Sequence, residues 1–125
     1  MSATLVSPFV DGPLARRLAG AAGVTADAAV AELAGLADEA RSAPGFDMMA
    51  SICRTLADPH RLLLASLVKR RPRLTAVELQ AAVGLSQATV SHHMRALVDS
   101  GLVQAERLGR WVHYRLDGRF ERLVP

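Results

Sequence analysis

S-Q-A-T-V-S-H-H-M-R-A-L-V-D-S, residues 86–100, is the stretch that decides how the rest of the chain is read. It has the pattern of one helix with two unlike faces. Val90, Met94, Leu97 and Val98 fall at i, i+4, i+7 and i+8, which makes a single apolar stripe. Gln87, Ala88, Ser91, His92 and Arg95 fall on the opposite side, and no carboxylate occurs before Asp99. An ordinary solvated helix face mixes Glu with Lys. A face of small residues and short hydrogen-bonding groups is instead shaped to lie against a partner surface. Small residues permit close approach, and Gln, Ser and His donate to or accept from polar edges such as those of nucleic-acid bases.

Immediately upstream, Thr75-Ala76-Val77-Glu78 fits a capping box, with Thr75 as N-cap and Glu78 three residues on. The spacing predicts a short helix over residues 76–83, ended by Gly84, with Ser86 capping the helix that follows. Two helices joined by a tight turn around Gly84 make a helix-turn-helix pattern. Further upstream, Asp58-Pro59 supplies an N-cap and a proline at the first helical position. It opens a helix from His60 to Lys69 with Leu63, Leu64, Leu67 and Val68 buried. Lys69-Arg70-Arg71-Pro72-Arg73 then forms a basic turn, either solvated or within reach of phosphates. Residues 46–57 predict another helix, with Met49, Ile52, Cys53 and Leu56 on one face. Residues 26–40 predict an Ala-rich one, capped by Thr25, with Val30, Leu33, Leu36 and Ala37 on its apolar side. Residues 1–12 read as loose, and a short helix is expected from Pro13, with Leu14 and Leu18 on its thin apolar side.

Downstream of Gly101 the period changes to two. Residues 102–108 and 111–116 read as two strands joined by a short turn, Leu108-Gly109-Arg110, a β-hairpin with Trp, Val and Tyr in its second strand. Arg119 to Val124 has the pattern of a starting helix.

The charge is uneven. Residues 1–45 hold three Arg against five carboxylates, a net of −2, whereas residues 46–125 hold twelve Lys and Arg against seven carboxylates, a net of +5. The basic character therefore belongs to the same part of the chain as residues 86–100, which points weakly to nucleic acid. A single Cys excludes an intrachain disulfide and any Cys-x-x-Cys motif. No apolar run approaches the roughly 20 residues of a membrane span, and the first residues lack the pattern of a signal peptide, so a cytoplasmic location is expected. Neither a Ser/His/Asp pattern, nor a paired-carboxylate motif, nor a Gly-rich phosphate loop is present. No enzymatic activity and no cofactor are expected.

The order helix, helix, short helix, polar-faced helix, hairpin is that of a mainly α winged helix-turn-helix. It carries a two-stranded β-hairpin wing and an extra N-terminal helical arm. Four segments together resemble the ArsR-type (ArsR/SmtB) bacterial and archaeal transcriptional regulators: L-A-D-P-H-R-L at 56–62, G-L-S-Q-A-T-V-S-H-H-M-R-A-L at 84–97, D-S-G-L-V at 99–103 and G-R-W-V-H-Y-R-L at 109–116. The resemblance spans about residues 46–117. It implies a homodimer that binds double-stranded DNA at a two-fold symmetric operator, usually as a repressor. By the same resemblance Gln87, Ala88, Ser91 and His92 take the base-facing positions, Thr89 lies near the groove, and Arg110 at the wing tip meets phosphate or the minor groove. Arg95, Arg107 and the turn from Arg70 to Arg73 are further candidates. Residues 46–125 are then the DNA-binding domain and residues 1–45 a dimerisation arm.

The sequence departs from that family at its sensor. Where many members carry a Cys pair, this chain reads Leu74-Thr75-Ala76-Val77-Glu78-Leu79, and at most a stub of the long C-terminal helix is expected. The helices near residues 26–40 and 46–56 are therefore expected to carry most of the dimer interface. His92 and His93 are adjacent and point about 100° apart on a helix, a poor arrangement for one metal ion; a DNA contact for His92 and packing or a hydrogen bond for His93 fit better. His60 reads as an exposed first-turn residue, His113 as a sheet-surface residue, and Cys53 as a small buried hydrophobe. Two other readings stand beside the regulator. One is a winged-helix module for protein–protein assembly without an operator. The other is a metal- or thiol-responsive regulator that uses Cys53.

Overall fold

The computed structural model describes Arg17 and residues 25–125. The chain divides into two compact units, Met1–Phe46 and Asp47–Pro125. In the first, α1 spans Ala26–Arg41. Thr25 is its N-cap, the hydroxyl accepting from the amide of Ala28 at 3.2 Å, and Asp27 and Arg41 place opposite charges at the ends of the helix dipole that favour them. The loose start over residues 1–12 and the short helix expected from Pro13, with Leu14 and Leu18, lie outside the described residues.

The second unit is the helix-turn-helix and its wing. Helix α2 spans Phe46–Leu56, α3 Pro59–Arg70, α4 Ala76–Val83 and α5 Gln87–Asp99. Three of these starts have a local cause. The Asp58 carboxylate accepts from the amides of His60 and Arg61, with Pro59 in the first turn. Thr75 and Glu78 complete the capping box in both directions. The Ser86 hydroxyl accepts from the amide of Thr89 at 3.2 Å. Gly84 ends α4 at φ 70°, a left-handed conformation that an L side chain resists, and so lets α5 depart at once.

Strands β2 (Val103–Leu108) and β3 (Trp111–Leu116) form the wing. The sheet is three-stranded, not a lone hairpin: Leu74–Thr75 forms β1 and pairs antiparallel with β3, opposite Tyr114 and His113. Arg73 leads into β1 at φ 72°. Its amide donates to the carbonyl of Tyr114 at 2.9 Å, and its own carbonyl accepts from His113 Nδ1 at 2.8 Å. These two bonds hold a backbone conformation that non-glycine residues seldom take. The expected C-terminal helix is a short 3-10 turn, Gly118–Phe120. Its N-cap is Asp117, whose carboxylate accepts from the amide of Arg119 at 2.9 Å and whose own amide donates to the carbonyl of Leu102 at 2.8 Å.

The core of this unit is aliphatic. Ile52 of α2, Leu64 and Val68 of α3, Leu79 of α4, Val90, Met94 and Leu97 of α5, and Leu102, Val103 and Leu116 at the sheet pack together with Phe120 and Val124. The apolar stripe expected on α5 is thus the side that is buried. Two other expectations of burial are corrected. Leu63 is exposed although it neighbours Leu64, because the core meets α3 along Leu64 and Val68. Cys53 is exposed as well, since only Ile52 of α2 reaches the core fully.

Candidate nucleic-acid interface

Burying Val90, Met94 and Leu97 leaves the other side of α5 facing outward. Gln87, Ala88, His92 and Arg95 are exposed, and Ser91 is half-buried among them. At 100° per residue these five positions span an arc of about 140°. Carboxylates are absent from the first turn of α5, where the amide ends of the helix dipole favour an anion. Thr89 is half-buried, and its hydroxyl accepts from Ser86 Oγ at 2.8 Å, which draws it into the cap at the edge of the face.

The two adjacent histidines have different environments. His92 is exposed, whereas His93 is only 7% exposed. Arg61 Nε donates to His93 Nδ1 at 3.2 Å, so α3 is bonded directly to the underside of α5. The His60 and His92 rings lie 5.8 and 5.6 Å from the His93 ring. Burial pushes the His93 imidazole below its ordinary value; the Asp58 carboxylate opposes this, and Arg61, His92 and His60 add to it. His93 is therefore the neutral acceptor in an interhelical brace, and His92 stays free on the surface above. His60, expected to be exposed, is exposed.

A cleft of about 290 Å³ separates α5 from the wing, with Ser91, Arg95 and Asp99 on one wall and Ala105 and Tyr114 on the other. The sheet face carrying Ala105 and Tyr114 thus looks toward α5. The base of the wing is fixed by a chain of polar contacts. Arg115 Nη2 donates to Gln104 Oε1 at 2.7 Å, and Gln104 Nε2 donates to Asp117 Oδ2 at 2.9 Å. Arg119 then binds Asp117 through both its amide and its guanidinium. The Arg119 side chain and amide, helped by Gln104, hold the Asp117 carboxyl down at about 2. At the tip, Gly109 has φ 63° and Arg110 does not have a positive φ, the pattern of a type II′ turn. Arg110 sits on that turn, exposed.

The basic turn is less free than its sequence implied. Lys69 Nζ donates to the carbonyls of Glu121 and Val124, at 2.7 and 2.6 Å. Arg70 donates to that of Pro125 at 3.0 Å. Both cations hold the last residues against α3, a role that sequence spacing does not reveal. Among the described residues, no group of three or more His, Cys, Asp or Glu is placed to hold one metal ion, and no helix is long and apolar enough to cross a membrane.

Residues 58–105 match the family model described as bacterial regulatory protein, arsR family. Over 65 residues the chain is 37% identical to an arsenic resistance transcriptional regulator of Pseudomonas putida, covering 52% of this chain and 51% of that protein. Over 72 residues it is 36% identical to an arsenical resistance operon repressor of Staphylococcus xylosus, covering 58% of this chain and 68% of that protein. The chain spans about half the length of several of the curated relatives it matches. Among solved structures, it is similar to a homodimeric winged helix-turn-helix DNA-binding domain from Mycobacterium bovis, a possible ArsR-family transcriptional regulator. The TM-score is 0.61 at 30% identity, over 67% of this chain and 78% of that one.

Proposed function

The chain belongs to the ArsR family of bacterial regulatory proteins, and from that membership we propose that it is a homodimeric, sequence-specific DNA-binding repressor that reads a two-fold symmetric operator with α5. The observation that carries the reading is the outward face of α5: five neighbouring positions without a carboxylate, on a helix whose other side is locked into the core. Gln87, Ser91 and His92 hydrogen-bond base edges, and Ala88 allows close approach or meets a thymine methyl. Thr89 and Arg95 bind at the groove edge, Thr89 toward phosphate. Arg110 reaches phosphate or the minor groove from the wing. Because phosphate neutralisation releases counterions, affinity falls steeply with salt. Selection of bound duplexes from a random DNA pool tests the reading. Enriched sequences with two inverted half-sites are expected; a pool that stays unenriched would contradict it.

The dimer is assigned to the two N-terminal helices. Leu33 and Leu36 of α1, and Met48 and Met49 of α2, are large apolar side chains left exposed within their own units, and such side chains are readily covered by a second copy. Deleting residues 1–44 is expected to shift the protein from dimer toward monomer in sedimentation equilibrium, with the helical circular dichroism of the remaining unit retained. A truncated protein that stays fully dimeric would remove the arm from the interface.

A further inference from the structure

The wing tip carries an apolar surface that neither the core nor α5 uses. Leu108 and Trp111 are direct cross-strand partners next to the turn, so their side chains lie on one face. They are 41% and 48% exposed. Register puts them on the opposite face from Ala105 and Tyr114, which look toward α5. The Arg110 guanidinium carbon lies 5.4 Å from the centre of the Trp111 ring. By the same register Arg115 shares this outer face with Glu106, the hairpin's one carboxylate, whereas Arg107 lies on the face toward α5. A cationic hairpin ending in an exposed aromatic–aliphatic pair matches a surface with anionic rims and apolar walls.

We propose that Trp111 is a positioning residue for DNA recognition: with Leu108 it packs on the sugar walls of the minor groove and holds Arg110 over its ring so that the guanidinium enters that groove. The inference rests on the DNA-binding reading above and deepens it. With α5 in the major groove, the wing crosses the adjoining phosphate ridge. Its α5-facing side then looks back at the major groove and its outer face meets the minor groove. Minor-groove proteins commonly combine Arg with apolar side chains in that groove. Stacking restrains the guanidinium while leaving its N–H edge free to donate.

Trp111 is the only tryptophan, so its emission reports the wing alone. The experiment titrates the protein with a duplex recovered by selection, following labelled-DNA anisotropy and acrylamide quenching of Trp111 together. Quenching is expected to fall severalfold at saturation. Trp111→Ala is expected to weaken binding roughly tenfold and Trp111→Phe much less. In Trp111→Ala/Arg110→Ala the combined loss is expected to be smaller than the product of the single losses, because the second residue acts through the first. Melting curves of the variants, expected to match the parent, exclude a folding defect. Saturated binding with Trp111 still fully quenched, or single losses that multiply, overturns the wing proposal alone. An absence of DNA binding by the parent protein overturns this proposal and the regulator reading together. Loss of self-association in Trp111→Ala, with DNA affinity intact, would make the tip a protein contact instead.

Discussion

Replacing Ser91 and His92 together by alanine is expected to lower affinity for the preferred duplex by about a hundredfold, while binding to unrelated DNA changes little. Each good side-chain-to-base pairing contributes on the order of 1–3 kcal/mol of discrimination, and tenfold in affinity corresponds to about 1.4 kcal/mol. Unrelated DNA is held mainly through phosphates, which neither residue is assigned to contact. Alanine favours the helical state and His92 is exposed, so the substitution leaves the core untouched. Titration of the parent and the double variant with the preferred and a shuffled duplex separates the two terms. Unchanged affinity for the preferred duplex would refute the base-reading roles of both residues.

The second large effect lies on the other side of the same helix. Leu97 is 0% exposed and belongs to the core that joins α2, α3, α4 and the sheet to α5. Leu97→Ala removes buried methyl groups and leaves a cavity, at a cost of about 2–5 kcal/mol. A domain of this kind has roughly 5–15 kcal/mol in total, so the variant should unfold at a much lower urea concentration with the slope unchanged. A loss below about 1 kcal/mol would mean that the site collapses around the smaller side chain. Where the variant remains folded, its ratio of specific to unspecific affinity should equal that of the parent, because the outward face of α5 is intact. The two substitutions therefore separate reading from support on one helix.

Those two roles differ in how legible they are in sequence. Caps are written in a few adjacent residues, and so Thr25, Asp58-Pro59, Thr75 with Glu78, and Ser86 all mark helix starts where the structure has them. The period-four stripe of α5 likewise turns inward as its spacing requires. Pairing between distant segments leaves no such local mark. Leu74–Thr75 becomes a strand because β3 lies beside it, about forty residues away. For the same reason Lys69 and Arg70 read as part of a basic turn, solvated or within reach of phosphates, and are instead bound to the carbonyls of the last residues. An apolar stripe also does not say how much of itself is covered: Ile52 is buried while Met49 and Cys53 on the same predicted face are exposed. At the candidate interface, the contrast between His92 and His93 follows from their 100° separation. The partner of His93, Arg61, is visible only in three dimensions. The pairing of Leu108 with Trp111 follows from the hairpin register, but the exposure of that pair does not.

The central claim is that α5 reads base sequence. Its most direct test is the ratio of affinities for the selected duplex and a shuffled duplex of equal composition, measured at one near-physiological salt concentration. A ratio on the order of 10³ or more is predicted, falling about a hundredfold when Ser91 and His92 are both alanine. A ratio near one for the parent protein, with affinity set by salt alone, would contradict the claim.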